Sequence, residues 1–300
     1  MKKTKSRNLI ICIVAGILGL LGLTMAVMKI TGAGPFAPSD KKYQHLSANG
    51  IETWDSGYMR TELTSLELVT LMGNGINLGN TMEAYGRAVY GTTASVSSYE
   101  TYWGQPVTTQ EIITAMKHAG FDSLRIPVAW TNAMNYESGD YTIREDYLNR
   151  VEEIINYALN EDMYVIINDH WDGSWWGMFG SANEETRKQA MELYISMWTQ
   201  IAERYKEYSD YLIFESANEE LGSRLNDVDV AADSGTLSEQ ECFEMTNTIN
   251  QTFVNTIRST GGNNAQRFLL IAGYNTDIQK TCDNRFVMPT DTAENKLMIS

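Results

Sequence analysis

From about Thr64 to Ser300, short apolar runs alternate with longer amphipathic stretches. GINLG (75–79), FDSLRIPV (121–128), MYVIIN (163–168), YLIFESA (211–217), RFLLIA (267–272) and KLMIS (296–300) read as strands. Residues 65–72, 108–119, 146–160, 184–207 and 239–260 carry helical periodicity. Thr108 is placed as an N-cap with Glu111 at the capping-box position, and Gly120 closes that helix. MYVIIN is apolar at nearly every position, as a strand covered on both faces requires. Strands and helices alternating on this spacing predict a parallel sheet, with right-handed crossovers.

Two α/β architectures satisfy that alternation. A doubly wound nucleotide-binding sheet calls for a Gly-rich turn after its first strand. Here Gly73-Asn74-Gly75 precedes the strand instead, which disfavours it. The alternative is a (β/α)8 TIM barrel. Six strands are read by Ser300 where a closed barrel has eight, so the barrel is expected to be incomplete in this chain. Three segments are expected: a signal-anchor or transmembrane segment over residues 1–30, a linker over 31–60 and the barrel over 61–300.

The N-terminal segment places Lys2, Lys3, Lys5 and Arg7 before an uncharged run from Leu9 to Met28. Twenty apolar residues span a bilayer as a helix, and the preceding basic residues hold the N-terminus in the cytoplasm. No clear small-residue cleavage site follows, so residues 9–28 are read as an uncleaved anchor, with cleavage and secretion as the alternative. Either way the barrel is exported. Residues 29–59 carry Gly32, Gly34, Pro35, Pro38 and Ser39 with no apolar period, as linkers do.

The net charge is −15 and the pI about 4.6. No basic patch exists to neutralise phosphates, which excludes a nucleic-acid partner. Cys12 lies in the apolar segment, and Cys242 and Cys282 lack metal-ligand spacing. Cys242 and Cys282 read as two isolated thiols, with a disulfide between them as the alternative. With only His45, His118 and His170, no Cys/His cluster suggests zinc. His118, in the last turn of its helix, reads as a charge at the helix C-terminus.

Chemistry in a barrel sits where strands run out at the C-terminal rim. Asn80 follows the first strand. Arg125 lies on the second and points inward if Leu124 and Ile126 face the helices. His170 sits just past the third strand, and Asn218-Glu219 close the fourth. Glu215 shares parity with Glu219 and is read as an interior acid pairing with Arg125 or another donor, because burying it alone would be costly; a role as nucleophile is the alternative. Glu220 reads as a solvated loop acid. Glycosidic cleavage needs one carboxyl group to protonate the leaving oxygen and a second to attack or to activate water.

The segments GINLGNTMEAYG, ETYWGQPVTTQEIITAMKHAGFDSLRIPVAW, MYVIINDHWDGSWW, YLIFESANEE and LLIAGYNTDI run in this order from about Gly75 to Asp277. Together they resemble glycoside hydrolase family 5, a retaining (β/α)8 family of endo-glucanases and relatives. The ANEE ending and GYNTDI are most similar to the subfamily with endo-β-1,4-glucanase and xyloglucanase members. The resemblance implies that Glu219 is the acid/base and that Asn218 hydrogen-bonds the sugar 2-hydroxyl. It implies that Arg125 keeps the nucleophile ionised, that His170 binds sugar at the cleavage point, and that Trp103, Trp175 and Trp176 are cleft aromatics. Since Trp175 and Trp176 are adjacent, one of them at most faces the cleft. Trp103 and Asn80 are read equally well as packing and turn residues.

The chain departs from the family in carrying Glu220 where many members have Pro, and Trp171 where many have a second His. The family's nucleophilic Glu would follow on a seventh strand, beyond Ser300. The expectation is therefore a retaining endo-β-1,4-glucanase acting on cellulose, mixed-linkage glucan or xyloglucan, needing no cofactor and monomeric. The 300-residue chain alone is expected to be inactive, and the alternative is a non-catalytic carbohydrate-binding fragment.

Overall fold

The computed structural model describes residues 45–46, 52–53, 55–173, 175–228 and 233–300. The expected anchor over residues 9–28 and most of the expected linker lie outside the described residues. Among the described residues no helix is long and apolar enough to cross a membrane.

Six parallel strands form one sheet: β1 (Gly75–Asn77), β2 (Ser123–Ile126), β3 (Tyr164–Ile167), β4 (Leu212–Glu215), β5 (Leu269–Ile271) and β6 (Leu297–Ile299). Neighbours in the sheet are neighbours in sequence throughout. A doubly wound sheet reverses its order at a switch point; sequential order is that of a (β/α) barrel. The α/β barrel expectation holds, with six strands among the described residues.

Five longer helices accompany the strands: α1 (Ser65–Met72), α2 (Gln110–His118), α3 (Glu145–Asn160), α4 (Glu184–Arg204) and α5 (Glu239–Ser259). Thr64 and Glu67 form a reciprocal capping box on α1. At α2 the cap is Thr109, one residue later than expected. Thr108 is buried, and its N–H donates to Glu100 Oε1 at 2.7 Å, so it serves the preceding loop. Gly120, at φ 99°, ends the turn after α2, a conformation glycine adopts without steric penalty.

Side chains alternate across each strand and separate two cores. Leu124, Ile126, Val165, Ile167, Leu212, Phe214, Leu269 and Ile271 face outward, into one cluster with the buried faces of α3, α4 and α5. Tyr164, Ile213, Phe268 and Met298 face inward and meet Leu63 and Leu68. Tyr164 and Phe268 stand at or just before the starts of β3 and β5, so α1 closes the N-terminal end of the barrel. The opposite end stays open for a site.

Residues 55–60, expected as linker, dock on that closed end. Asp55 accepts a hydrogen bond from the Ser209 N–H at 2.7 Å, and Arg60 pairs with Asp210 at 2.6 Å. Their docking partners are loop residues some 150 positions away, a contact no local pattern encodes.

Arg267 anchors the same region from within. Its guanidinium is fully buried and donates to Asn264 Oδ1, to the carbonyls of Ser209 and Leu212, and to those of Tyr205 and Tyr208, at 2.6–3.1 Å. Burial pushes its pKa down to about 10. Replacing Arg267 with Met leaves these carbonyls without their donor. The expected loss is about 3–5 kcal/mol of unfolding free energy, measured by urea denaturation; a loss under about 1 kcal/mol would show that water replaces the guanidinium.

Candidate active site

The site begins with strand parity. Leu124 and Ile126 pack outward, so Arg125 between them points into the barrel. Across the barrel, Glu215 ends β4 on the inward face. Arg125 Nε reaches Glu215 Oε2 at 2.6 Å, with the Glu215 side chain 3% exposed. Parity placed both side chains in the interior, and of the donors open to Glu215 the structure selects Arg125. Burial pushes the Glu215 carboxyl up, while Arg125, Ser300 and Asn168 pull it back.

The rest of the guanidinium fork arranges the rim. Arg125 Nη2 donates to Asn218 Oδ1 at 2.9 Å. That bond fixes which end of the amide is oxygen and leaves the Asn218 NH2 as the outward donor. Arg125 Nη1 lies 3.5 Å from His170 Nδ1, and Asn168 Nδ2 lies 3.3 Å from the same nitrogen. Facing two donors, Nδ1 accepts, so the neutral ring carries its proton on Nε2. Burial, then the charges of Arg125 and Arg224, push the His170 pKa down to about 3.

The loop after β3 is pinned at both ends of its turn. The His170 N–H donates to the Val128 carbonyl at 2.9 Å, and Asp172 accepts from the Thr131 N–H at 2.9 Å. Asp169 accepts from Trp176 Nε1 at 3.0 Å. Asp169 and Asp172 are both buried, and burial together with their mutual repulsion raises the Asp169 carboxyl well above its ordinary range.

Glu220 corrects the expectation of a solvated acid. It is buried, and its two oxygens accept from the Trp171 N–H at 2.9 Å and the Asn218 N–H at 2.7 Å. Burial raises its pKa to about 7 against those backbone donors. Glu83, buried in the loop after β1, likewise accepts from the Thr81 N–H at 2.9 Å. Glu219 is exposed and makes no hydrogen bond to another described residue. It is thus the carboxylate of this rim left for a ligand.

Other expected residues fall differently. Trp175 and Trp176 are both buried and stack on each other at 4.4 Å. They pack with Phe179 and Tyr194 in the outer core, so Trp175 is not a cleft aromatic. Trp176 keeps one edge on a small pocket beside the rim. Trp103 is exposed after the short helix Val96–Glu100, and no described contact joins it to Arg125, His170 or Asn218. Asn80 takes a left-handed turn at φ 62°, its N–H bonded to Glu83. That is the turn role, with the side chain left exposed.

Sequence reasoning missed Trp171. It is the large aromatic beside His170 that is 47% exposed. Its signal was the departure from a second His at that position.

A sequentially ordered β/α barrel with an Arg-centred amide, imidazole and carboxylate on its C-terminal rim defines the class of this molecule. The chain belongs to glycosyl hydrolase family 5: the family model described as Cellulase (glycosyl hydrolase family 5) matches residues 82–300. It is 38% identical over 238 residues to a xyloglucan-specific endo-beta-1,4-glucanase of Bacteroides ovatus, covering 79% of this chain and 44% of that protein. It is 36% identical over 262 residues to Endoglucanase A of Paenibacillus barcinonensis, covering 84% and 61%. The structure of a GH5-4 broad specificity endoglucanase from Ruminococcus champanellensis with bound cellotriose superposes with a TM-score of 0.69 at 36% identity, covering 80% and 66% of the two chains. The chain spans about half the length of the curated relatives it matches.

The buried Glu220 has a consequence for pH. Unfolded, it releases its proton near the ordinary 4.5; folded, near 7. Between these values the unfolded chain binds fewer protons, so Glu220 makes stability fall as pH rises from about 4.5 to 7. The gap corresponds to about 3 kcal/mol. Urea unfolding at both pH values should show that loss shrinking in Glu220→Gln. An unchanged pH dependence would refute the assignment.

Proposed function

We propose that this chain carries the acid/base and sugar-binding part of a retaining, endo-acting hydrolase of β-1,4-glucan. The observation that carries the reading is the Arg125 fork, which holds Asn218 and His170 as oriented donors next to the exposed carboxylate of Glu219. Family membership and relatives named as endoglucanases support it.

Glu219 protonates the glycosidic oxygen as the C1–O bond breaks. The nucleophile is the Glu that the family resemblance places on a seventh strand; its carboxylate bonds to C1 and forms the glycosyl-enzyme. Water then attacks C1, and Glu219 takes the proton. The Asn218 amide donates to the sugar 2-hydroxyl, a contact that strengthens in the transition state. His170, neutral with Nε2–H outward, donates to a sugar hydroxyl. The substrate is the β-1,4-glucan backbone common to cellulose, mixed-linkage glucan and xyloglucan. A bound cellotriose in one relative and a XXXG heptasaccharide in another are consistent with that choice.

Export is part of the same reading. Residues 9–28, preceded by Lys2, Lys3, Lys5 and Arg7, anchor the protein in the membrane with the barrel outside. Alkaline carbonate extraction of cells should leave the protein in the membrane pellet; release into the medium with a new N-terminus near residue 30 would show cleavage instead.

In the whole protein, Glu219→Gln should lower kcat on unactivated β-glucan by about 10²–10⁴-fold while oligosaccharide affinity stays within about twofold. Reducing-end release and calorimetric titration measure the two. Retained turnover would sink the acid/base assignment. Binding without turnover in the unsubstituted whole protein would favour a carbohydrate-binding role.

A further inference from the structure

Asn168 stands immediately after β3, on the inward side with Tyr164 and Ile166. Its side chain is fully buried. Its main chain is fixed as well, because its carbonyl accepts from the indole N–H of buried Trp130 at 2.8 Å. Asn168 Nδ2 lies 3.3 Å from His170 Nδ1. The same amide hydrogen-bonds the carboxyl group of Glu215, the buried partner of Arg125. An amide NH2 carries two N–H donors, one for each of these neighbours.

Arg125 decides which end of the amide faces the ring. Its Nη1 lies 3.5 Å from the same His170 Nδ1, and a guanidinium can only donate. Nδ1 is therefore an acceptor, and Asn168 must turn its NH2 toward it. The Glu215 carboxylate asks for the same end. Asn168 Oδ1 is left buried with no hydrogen-bond partner among the described residues, where buried polar groups are nearly always satisfied. The orientation of the amide is thus set by the two acceptors of Nδ2, against the interest of its oxygen.

Arg125 alone would hold the ring loosely. Its Nε is taken by Glu215 at 2.6 Å and its Nη2 by Asn218 at 2.9 Å, which leaves Nη1 at the long end of hydrogen bonding to His170. Asn168 is the nearer donor. Burial, then the charges of Arg125 and Arg224, keep His170 neutral. A neutral imidazole has one proton, and the partner of one nitrogen decides which nitrogen carries it.

We propose that Asn168 is a positioning residue for the rim histidine: its NH2 spans from Glu215 to His170 Nδ1 and keeps the imidazole proton on Nε2, the nitrogen that meets the sugar. The tautomer follows from this geometry; its effect on turnover rests on the β-glucan reading above.

NMR of the whole protein, labelled at histidine with nitrogen-15 and held at neutral pH, tests it, with His170→Asn identifying the His170 signals. Nδ1 should resonate as an unprotonated ring nitrogen and Nε2 as a protonated one. Asn168→Asp replaces the donor by an acceptor of the same shape and should bring a proton to Nδ1. Asn168→Ala removes the donor and should give a mixture of the two neutral forms. Both should lower kcat on β-glucan by about 10–100-fold. Loss of packing alone would not transfer a proton between ring nitrogens. A proton on Nδ1 in the unsubstituted protein would overturn the positioning role, and this outcome needs no variant to fold. Nδ1 left unprotonated in both variants would overturn it too. A transferred proton with unchanged kcat would overturn the link to turnover. No turnover of β-glucan by the unsubstituted protein would overturn the glucan reading, with the ring spectra still deciding the role of Asn168.

Discussion

The ion pair between Arg125 and Glu215 crosses the barrel interior, and the rim is organised around it. Burying two charges is expensive, and attraction offsets the cost only when geometry is good and the remaining hydrogen-bonding groups are satisfied. That requirement builds the site. Once Nε is committed to Glu215, the other guanidinium nitrogens must find acceptors nearby, and those within reach are Asn218 Oδ1 and His170 Nδ1. One arginine on β2 therefore orients an amide after β4 and an imidazole after β3. Arg suits this work better than Lys because its planar fork presents several donors in fixed directions.

A second constraint runs through the carboxylates. The rim is rich in acids, yet most are consumed by structure. Glu215 holds Arg125, Glu83 holds backbone N–H groups after β1, and Glu220 ties the loops after β3 and β4 together. Asp169 and Asp172 are both buried, and burial raises the carboxyl pKa of each. Glu219 stands apart in being exposed. A carboxyl group that must release and recapture a proton during turnover is best left without a permanent donor. Its neighbours are tied into the fold, which suits Glu219 to the acid/base role proposed for it.

Left-handed non-glycine residues occur at Asn80, Trp171, Asn275 and Thr276, in the loops after β1, β3 and β5, and at Asp162 and Asn295, just before β3 and β6. The Asn275 N–H donates to the Leu221 carbonyl at 2.6 Å, joining the loops after β4 and β5. The strained turns are thus cross-braced between neighbouring loops, which keeps side chains such as Trp171 in positions an isolated loop would not hold.

What the sequence determined by itself is whatever depends on local period and order. Alternating apolar runs and amphipathic helices specified a parallel sheet, and parity along DSLRIPV and YLIFESA specified that Arg125 and Glu215 share the interior. Side-chain alternation is a property of every extended backbone, so these readings needed no contact information. Motif order was enough to place the family. Only the tertiary structure decided which rim residues are buried. Glu219 and Glu220 are adjacent and chemically alike, yet one is exposed and the other is enclosed beneath Trp171 and Asn218. Trp171, Trp175 and Trp176 lie within six positions, yet the exposed ring is the one that local pattern offered least reason to choose. Burial is set by loops arriving from distant strands, through bonds such as Trp171 N–H to Glu220 and Thr131 N–H to Asp172. Such contacts join residues 41 to 49 positions apart, a separation at which neither helical nor strand periodicity carries information.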